Sequence, residues 1–427
     1  MSRLTRNGGL QRIVVPGVVS QHAEEVASLC TMRAVLVAAP HVRARDLLRH
    51  DDRVVAHLDG LSVAGEEGWR SCDMALETPS PGAVFTAAAL ALESRSTERL
   101  GHLITRAKPG SPERTGLISA FGWVEPDRLH GIVKPLLASP DPEHRLIGIA
   151  ACAAHRVDPG LVTSNWLQDS SPAVRACALR TAGEIGCQDA APLCAASLKD
   201  KDDDVRFWST WASVMLGNRS KALDALARLA TEEGERRPIA FRLALQALPP
   251  AAAHALLQDL ARDRAQLRWL IEGSGLAGDP GYAPWLIAQM EDPVVARLAG
   301  EAFSLITGVD LDTHQLYRER PADVQSGPTD DPQDDNVAMD ADEGLMWPDA
   351  TKIEKWWSVN SGRFQKGVRY FLGAPVTREQ CIDVLENGYQ RQRILAAHYL
   401  CLLEPGTPLF NTSAPAQRQQ RLLAQMK

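Results

Sequence analysis

A short phrase that recurs about every 30 residues constrains the fold of this chain more than any other feature. An acidic residue and then an arginine open each copy, and Arg145, Arg175 and Arg206 are spaced by 30 and 31 residues. An apolar run of about three helical turns follows each arginine. Because one hairpin of this length cannot bury its apolar stripe alone, stacked copies must share a core. The sequence therefore predicts an all-α fold, an α-solenoid of helical hairpins.

Acidic residues are placed to form a ladder with these arginines. Asp169 and Asp200 lie six residues before Arg175 and Arg206. We expect them at the start of the second helix of each hairpin, where a carboxylate caps free backbone N–H groups. Each arginine can reach the aspartate of its own or the neighbouring hairpin, and Arg297 continues the series. The spacing resembles HEAT repeats, in which such a ladder is structural, so a structural role is predicted for all five residues.

Prolines repeat with the same period and predict where the inner helices start. Pro81, Pro112, Pro142 and Pro172 are separated by 31, 30 and 30 residues. The fixed φ of proline suits the first helical position. Arg393 marks one further copy of the phrase near the end of the chain. We expect about eight to ten hairpins.

Changes in composition divide the chain into four parts. Residues 1–78 are predicted to form N-terminal helical capping repeats, and 79–319 the HEAT-like repeats. Residues 320–345 are predicted to be an acidic insertion, since Thr329 to Glu343 holds seven acidic residues and no basic ones. This insertion is either a solvated linker or a docking element for a basic partner. Residues 346–427 are predicted to form a C-terminal helical domain ending in a further hairpin.

Charge and cysteine content bear on partners and compartment. The net charge of −7 speaks against a nucleic-acid-binding surface, although arginine outnumbers lysine 37 to 9. The eight cysteines contain no CxxC pair and predict buried thiols in a reducing compartment. No apolar run approaches the roughly 20 residues of a membrane span. We expect a cytoplasmic protein.

Motifs for catalysis, metals and cofactors are weak. The sequence has no nucleophile elbow, zinc-protease helix, phosphate-binding loop or dinucleotide fingerprint. His50 and His57 are about two helical turns apart, too far to share one metal ion without help from other segments. Asp200 to Asp204 lacks the central Gly and the final Glu of a calcium loop. We therefore predict no enzyme, no metal and no cofactor.

Aromatic residues away from the core face are candidates for binding another protein. Phe207 and Trp211 are four apart and lie off the apolar face of their helix, and Trp211 corresponds to Arg180 in the preceding repeat. Aromatic side chains there predict a contact patch with Arg180, unless the twist of the stack buries them. Trp356 and Trp357 are neighbours on one helix, so at least one of them is predicted to face a partner rather than the core.

Three passages carry a resemblance to a known family. They are Ala56 to Gly65 with Trp69, then Gly300 to Asp310, and then Trp356–Trp357 with Gly367 to Gly373. The chain resembles an uncharacterised bacterial family of HEAT-repeat proteins whose genes often lie beside type VI secretion cargo genes. The resemblance implies an accessory or adaptor role and assigns no catalytic residues.

The leading hypothesis is thus a non-enzymatic scaffold that binds a secretion effector, a chaperone or another secretion component along the inner helices. A second hypothesis is nucleic-acid binding, as in HEAT-like DNA alkylation repair glycosylases, with Arg175, Arg180 and Arg206 forming a local basic row. A third is a lyase similar to the HEAT-like phycobilin lyases, which would need a nucleophile or an acid in a pocket. The scaffold, nucleic-acid and lyase hypotheses predict an inner face that is apolar, basic or catalytic, respectively.

Overall fold

Helical hairpins make up nearly all the regular structure in the computed structural model of this chain. It describes residues 14–426, with gaps at 323, 325–326, 328–332 and 334–338. Within these residues there are 21 α-helices and one small hairpin of β1 (Tyr370–Phe371) and β2 (Ala374–Pro375). The prediction of an all-α solenoid of HEAT-like hairpins is confirmed.

The chain divides into two compact units. Unit 1 comprises Met1–Val35 and Asp46–His155, and unit 2 comprises Leu36–Arg45 and Arg156–Lys427. The division therefore falls inside the predicted repeat region 79–319. Residues 346–427, predicted as a separate domain, belong to the same unit as the later repeats.

Unit 1 stacks its helices around one apolar core. Its helices are α1 (Pro16–Leu36), α2 (Ala44–Ala64), α3 (Glu66–Ala75), α4 (Pro81–Glu93), α5 (Thr97–Arg106), α6 (Pro112–Trp123), α7 (Val133–Leu137) and α8 (Pro142–Ala154). α4 packs against α6, and α6 against α8, so that Leu117 and Phe121 are fully buried. Ser80 and Ser111 cap α4 and α6 by accepting backbone N–H groups at 3.1 and 3.2 Å.

Unit 2 continues the same arrangement with longer insertions. Its helices are α9 (Pro172–Ile185), α10 (Ala191–Ala196), α11 (Asp203–Met215), α12 (Lys221–Leu229), α13 (Arg237–Ala247), α14 (Pro250–Leu260), α15 (Leu267–Ala277), α16 (Ala283–Gln289), α17 (Ala296–Thr307), α18 (Ala350–Asn360), α19 (Arg378–Asn387), α20 (Gln390–Leu403) and α21 (Ala416–Met426). Short 3₁₀ turns in the chain lie at Pro126–Leu129, Trp166–Gln168, Gln188–Ala190, Ser197–Lys199, Arg264–Gln266, Pro280–Tyr282 and Ser361–Arg363. The odd-numbered helices α9 to α17 contact one another in sequence and form the inner row.

The four predicted prolines each occupy the first position of an inner helix, at the start of α4, α6, α8 and α9. The missing N–H of proline costs nothing there, because the first N–H groups of a helix have no partner within it. The periodic prolines thus predicted the starts of these helices correctly.

The arginine ladder differs in detail from its predicted form. Arg175 donates to a carboxylate oxygen of Asp200 at 3.2 Å and to the backbone oxygen of Asp169 at 2.8 Å. Arg206 likewise donates to the backbone oxygen of Asp200 at 2.8 Å and pairs with Asp203. Each arginine therefore ties down the turn before its own helix, and Arg175 also reaches into the next hairpin.

The predicted helix caps need a correction. Asp169 and Asp200 lie before the helices and accept the N–H groups of Ser171 and Asp202, both at 2.9 Å. These contacts close Asx turns rather than capping a helix. The side-chain cap of α11 is Asp202, which accepts the N–H of Val205 at 3.0 Å.

The C-terminal part of unit 2 returns to the inner row of helices. α20 contacts α11 and α13. The β-hairpin covers the ends of α15 and α17, where the N–H groups of Tyr370, Leu372 and Gly373 donate to Gly278, Leu305 and Ile306 at 2.7–3.0 Å. These backbone bonds satisfy carbonyl groups that a helix end otherwise leaves unpaired.

Arg393 was predicted to mark one further copy of the phrase, and α19 and α20 do pack together as a hairpin there. The contacts of Arg393, however, differ from those of Arg175 and Arg206. Its side chain is fully buried between α19, α20 and α21. It donates to the backbone oxygen of Leu385 and the side-chain oxygen of Gln419, both at 2.6 Å, and to the side-chain oxygen of Gln390. Burial lowers the pKa of Arg393 to about 10. The cation is thus solvated by neutral oxygens that hold three helices together.

No helix among the described residues combines the length and the apolarity that a membrane span requires.

Candidate functional site

Phe207 and Trp211 were predicted to form a contact patch, and the structure corrects this. Their relative exposures are 2% and 3%. Trp208 lies between them, with ring centroids 4.9 Å from Phe207 and 5.6 Å from Trp211. The three rings form an aromatic core inside unit 2 and present no surface to a partner.

The burial of this cluster follows from what surrounds α11. The helix contacts α9, α10, α12, α13 and α20, and every residue from Phe207 to Met215 is buried. Gly183 on α9 makes room for the indole, since a Cβ there would lie 2.6 Å from a ring atom of Trp211. A helix enclosed on every side has no face left for a partner.

Trp356 and Trp357 are also placed differently from the prediction. Both are half-buried and pack against the core of unit 2. Their ring centroids lie 6.0 and 5.9 Å from the ring of Phe303. Adjacent indoles can straddle one phenyl ring because each is long enough to reach it from its own side of α18. The argument that one of them must face a partner therefore fails.

Arg180 remains at the surface, with its side chain 54% exposed, but it is paired. It donates to Glu184 at 2.8 Å, and Arg156 binds the other carboxylate oxygen of Glu184 at 2.8 Å. Burial raises the pKa of Glu184, yet the two guanidinium groups together hold it below its usual range. The cation of Arg180 also lies 4.9 Å from the ring centre of Trp208, so Arg180 covers the aromatic core.

The same pairing neutralises the basic row considered for nucleic acid. Arg175 binds Asp200, Arg180 binds Glu184 and Arg206 binds Asp203. A surface that attracts phosphates needs arginines in excess of their carboxylates. The row therefore offers balanced charge, which does not favour the nucleic-acid hypothesis.

The histidine cluster of unit 1 is used for packing and hydrogen bonding. His50 Nε2 lies 2.8 Å from the backbone oxygen of Leu29, and Asp51 pairs with Arg33 at 2.6 Å. His57 Nδ1 lies 2.9 Å from His22 Nδ1. Over the described residues, no group of three or more His, Cys, Asp or Glu side chains comes together to hold a metal ion.

A cavity of about 480 Å³ opens in unit 2 between α17, the start of α20 and residues 40–43 and 344–346. Its wall carries a polar cluster that the sequence did not predict. Asp310 accepts from Arg43 at 3.0 Å and from the Tyr389 hydroxyl at 3.1 Å, while the Arg43 cation lies 4.2 Å from the Tyr389 ring centre. Burial opposes ionisation of Asp310, but the N–H of Thr313, the hydroxyl of Tyr389 and Arg43 hold its pKa below the usual range.

A second cavity of about 460 Å³ lies between α13, α15, α17 and α20. Both cavities are lined by Glu301 and Arg391, which form an ion pair of 2.9 Å. Burial raises the pKa of Glu301 and outweighs the opposing effect of Arg391. We call the two cavities together with this pair the inner groove.

The inner groove holds the charged and hydrogen-bonding groups that a polypeptide ligand requires. Arg43 and Arg391 offer donors, and Asp310 and Glu301 offer acceptors, next to the apolar side chains of Val309 and Leu372. A few placed polar groups on a partly apolar wall are typical of binding sites. Of these four charged residues, Glu301 and Asp310 carried a sequence signal, because both lie in the passage Gly300 to Asp310 that resembles the HEAT-repeat family.

The cysteines bear on the lyase hypothesis. None of the eight, all of which lie among the described residues, forms a disulfide, and burial raises the pKa of Cys72, Cys194, Cys381 and Cys401 to about 12. A thiol with so high a pKa is protonated at neutral pH and is a poor nucleophile. The groups that line the inner groove include no cysteine.

Comparison with known proteins agrees with the repeat architecture. Residues 160–248 match the family described as HEAT repeats. This match covers α9 to α13, which include the turns held by Arg175 and Arg206. The match supports a HEAT-like repeat architecture for these residues. The searches of curated proteins and of solved structures gave no match.

Proposed function

We propose that this chain is a non-enzymatic scaffold that binds another protein through the inner groove of unit 2. The observation that carries this proposal is the pair of cavities, about 480 and 460 Å³, that meet at Arg391 and Glu301. HEAT repeats use the surfaces created by stacking to bind extended partners. A groove next to the inner row is where such a partner fits.

The chemistry of the groove supports binding rather than catalysis. Its carboxylates Asp310 and Glu301 are engaged by Arg43 and Arg391 at 3.0 and 2.9 Å. Paired charges of this kind give specificity and register to a protein interface. Eight cysteines without a disulfide are also compatible with a reducing compartment, and we propose that the protein is cytoplasmic.

We further propose that the partner is a type VI secretion effector, its chaperone or another secretion component, and that the chain is an accessory to effector loading. Support for this part comes from the resemblance of three passages to HEAT-repeat proteins encoded beside such genes. The groove is compatible with any polypeptide that supplies both charges.

The test compares two charge reversals in an affinity capture from the native host, with nuclease added. Arg391→Glu places a second carboxylate beside Glu301 in the groove. Arg262→Glu is the matched control, since that side chain is 81% exposed and lies outside the residues that line both cavities. We expect mass spectrometry to show a protein that is retained by the control and lost by Arg391→Glu.

Equal capture by both folded variants would contradict the use of this groove. Recovery of nuclease-sensitive material alone would contradict a protein-binding scaffold. A recurring partner unrelated to secretion would leave the scaffold role in place and overturn the secretion role.

A further inference from the structure

The inner groove is crossed by a segment of the chain itself, Asp340–Met346, which we call the strap. Arg297 holds the Asp340 carboxylate through two bonds of 2.8 Å and donates to the backbone oxygen of Asp342 at 3.0 Å. Arg268 holds the Asp342 carboxylate through bonds of 3.1 and 2.5 Å. The ladder residue Arg297 and Arg268 on α15 thus form forked contacts with two carboxylates separated by one residue.

The strap lies along both cavities. Ala341 and Asp342 line the second cavity, and Gly344, Leu345 and Met346 line the first. A peptide bound along the whole groove would therefore overlap with the strap.

Charge, rather than apolar packing, holds the strap from Asp340 to Gly344. Asp342 is buried, but Ala341, Glu343 and Gly344 are exposed. Only the end of the strap makes apolar contacts, since Leu345 and Met346 are half-buried and Met346 packs against the core of unit 2. Segments with few buried apolar contacts open at a lower free energy than the whole fold. The strap can therefore leave the groove while the repeats stay folded.

The acidic insertion was predicted to be either a linker or a docking element for a basic partner. Its end instead docks in cis, on the arginines of the last two inner helices. The guanidinium fork is the protein group best matched to a carboxylate. In the structure, these two arginines therefore already bind an acidic, extended segment of polypeptide.

We propose that Arg268 and Arg297 recognise an extended acidic segment of the partner protein, one with two carboxylates separated by one residue. The strap occupies the same site in cis and competes with the partner. This inference rests on the proposed protein-binding function of the inner groove. A tethered segment competes at an effective concentration of about 1 mM, so partner binding is weak until the strap is displaced.

The probe is a fluorescent synthetic peptide with the strap sequence, Met-Asp-Ala-Asp-Glu-Gly-Leu-Met, used in anisotropy titrations at low salt. The control peptide carries Asn in place of both Asp. We expect the Asp340→Asn, Asp342→Asn double variant to bind the acidic peptide at least about tenfold more tightly than the natural chain. Adding Arg268→Gln and Arg297→Gln removes this binding, whereas adding the exposed Arg262→Gln leaves it intact.

Absence of tighter binding in the folded double variant would overturn the proposal, as would equal binding of the asparagine peptide. If the double variant does not fold, hydrogen exchange of the natural chain decides. Saturating acidic peptide should then speed amide exchange in the strap at least about fivefold, and unchanged exchange would overturn competition in cis.

The outcomes also separate this inference from the proposed function. Loss of a captured partner on Arg391→Glu, without peptide binding, would retain the groove and reject acidic recognition. Failure of both experiments would reject the groove itself.

Discussion

In two regions of unit 2 an arginine binds a carboxylate in the same way, but the separation of the two residues along the sequence differs. At α9, Arg175 binds Asp200, 25 residues away in the next hairpin. At α17 and α15, Arg297 and Arg268 bind residues 43 and 74 positions away. We call these contacts the near rung and the far rungs.

The difference teaches which contacts belong to the repeat and which were added to it. The near rung joins groups that the hairpins already bring together, and Arg175 also binds the backbone of its own turn. The far rungs do not use the aspartates of the neighbouring turns, Asp263 and Asp292, which accept backbone N–H groups in Asx turns at 2.9 Å. They bind the carboxylates of the strap instead. The near rung therefore stabilises the stack, whereas we propose that the far rungs control access to the groove.

The largest effect is expected from the core beside the near rung. Trp211→Ala should lower the free energy of unfolding by about 3–5 kcal/mol, because it leaves a large cavity between α9 and α11. Chemical denaturation followed by circular dichroism measures this. A change below about 0.5 kcal/mol, typical of surface sites, would restore the contact-patch interpretation of this residue.

The second largest effect is expected from acid pH, which should weaken the contact between α20 and α13 rather than the near rung. His398 Nδ1 donates to the side-chain oxygen of Gln246 on α13 at 3.1 Å. Burial, helped by the charge of Arg242, lowers the pKa of His398 to about 4. The unfolded chain, with its usual value near 6.5, takes up the proton first as pH falls. Stability is therefore complete above about pH 6.5 and is lost towards pH 4.

This loss should be on the order of 2 kcal/mol between pH 6.5 and 4. Denaturation at a series of pH values measures it, with His398→Gln as the comparison, since glutamine does not titrate. An identical pH slope in both proteins would show that the proton is taken up elsewhere.

The near rung itself should have a moderate effect. Arg175→Ala removes a side chain that is only 13% exposed and leaves the turn carbonyl of Asp169 without its donor. We expect a loss of about 1–2 kcal/mol in the free energy of unfolding. The exchange of strap amides should stay as it is, because the strap lies on other helices. Faster strap exchange would mean that the two regions are coupled.

The far rung should give the smallest global effect. Arg268 is 41% exposed, and Arg268→Gln should lower the unfolding free energy by less than about 1 kcal/mol. Hydrogen exchange in the strap should nevertheless rise several-fold. If this variant destabilised the fold more than Arg175→Ala, the division between structural and access-controlling rungs would be wrong.

Much of this fold was predictable because its determinants are local. The periodic prolines and arginines act within one turn, so their spacing alone indicated where helices start and how hairpins stack. The burial of Phe207 and Trp211 depends on all the helices around α11, which include α20, nearly 200 residues later. No pattern around α11 shows that a distant helix will cover its remaining face.

The acidic insertion shows the same limit in another form. Its composition indicated a solvated linker or a docking element. The arginines that fix Asp340 and Asp342 lie in repeats much earlier in the chain, so no local pattern connects them with the insertion. Most of the insertion before Met339 falls outside the described residues. The contact between the Arg43 cation and the Tyr389 ring likewise joins distant parts of the sequence, because residues 36–45 belong to unit 2.

The hairpin that covers the ends of α15 and α17 has a consequence for how this protein can evolve. Solenoids usually gain or lose whole repeats, because each repeat contacts only its neighbours. Here Arg369 donates to the backbone oxygens of Leu248 and Ala277 at 2.7 and 3.2 Å, and Gly373 donates to that of Ile306 at 3.0 Å. One more hairpin between α13 and α17 would move these carbonyls apart by about 10 Å, and residues 369–373 could then no longer bind all of them. The number of repeats in this part of the chain is therefore fixed by a segment that lies outside the repeats.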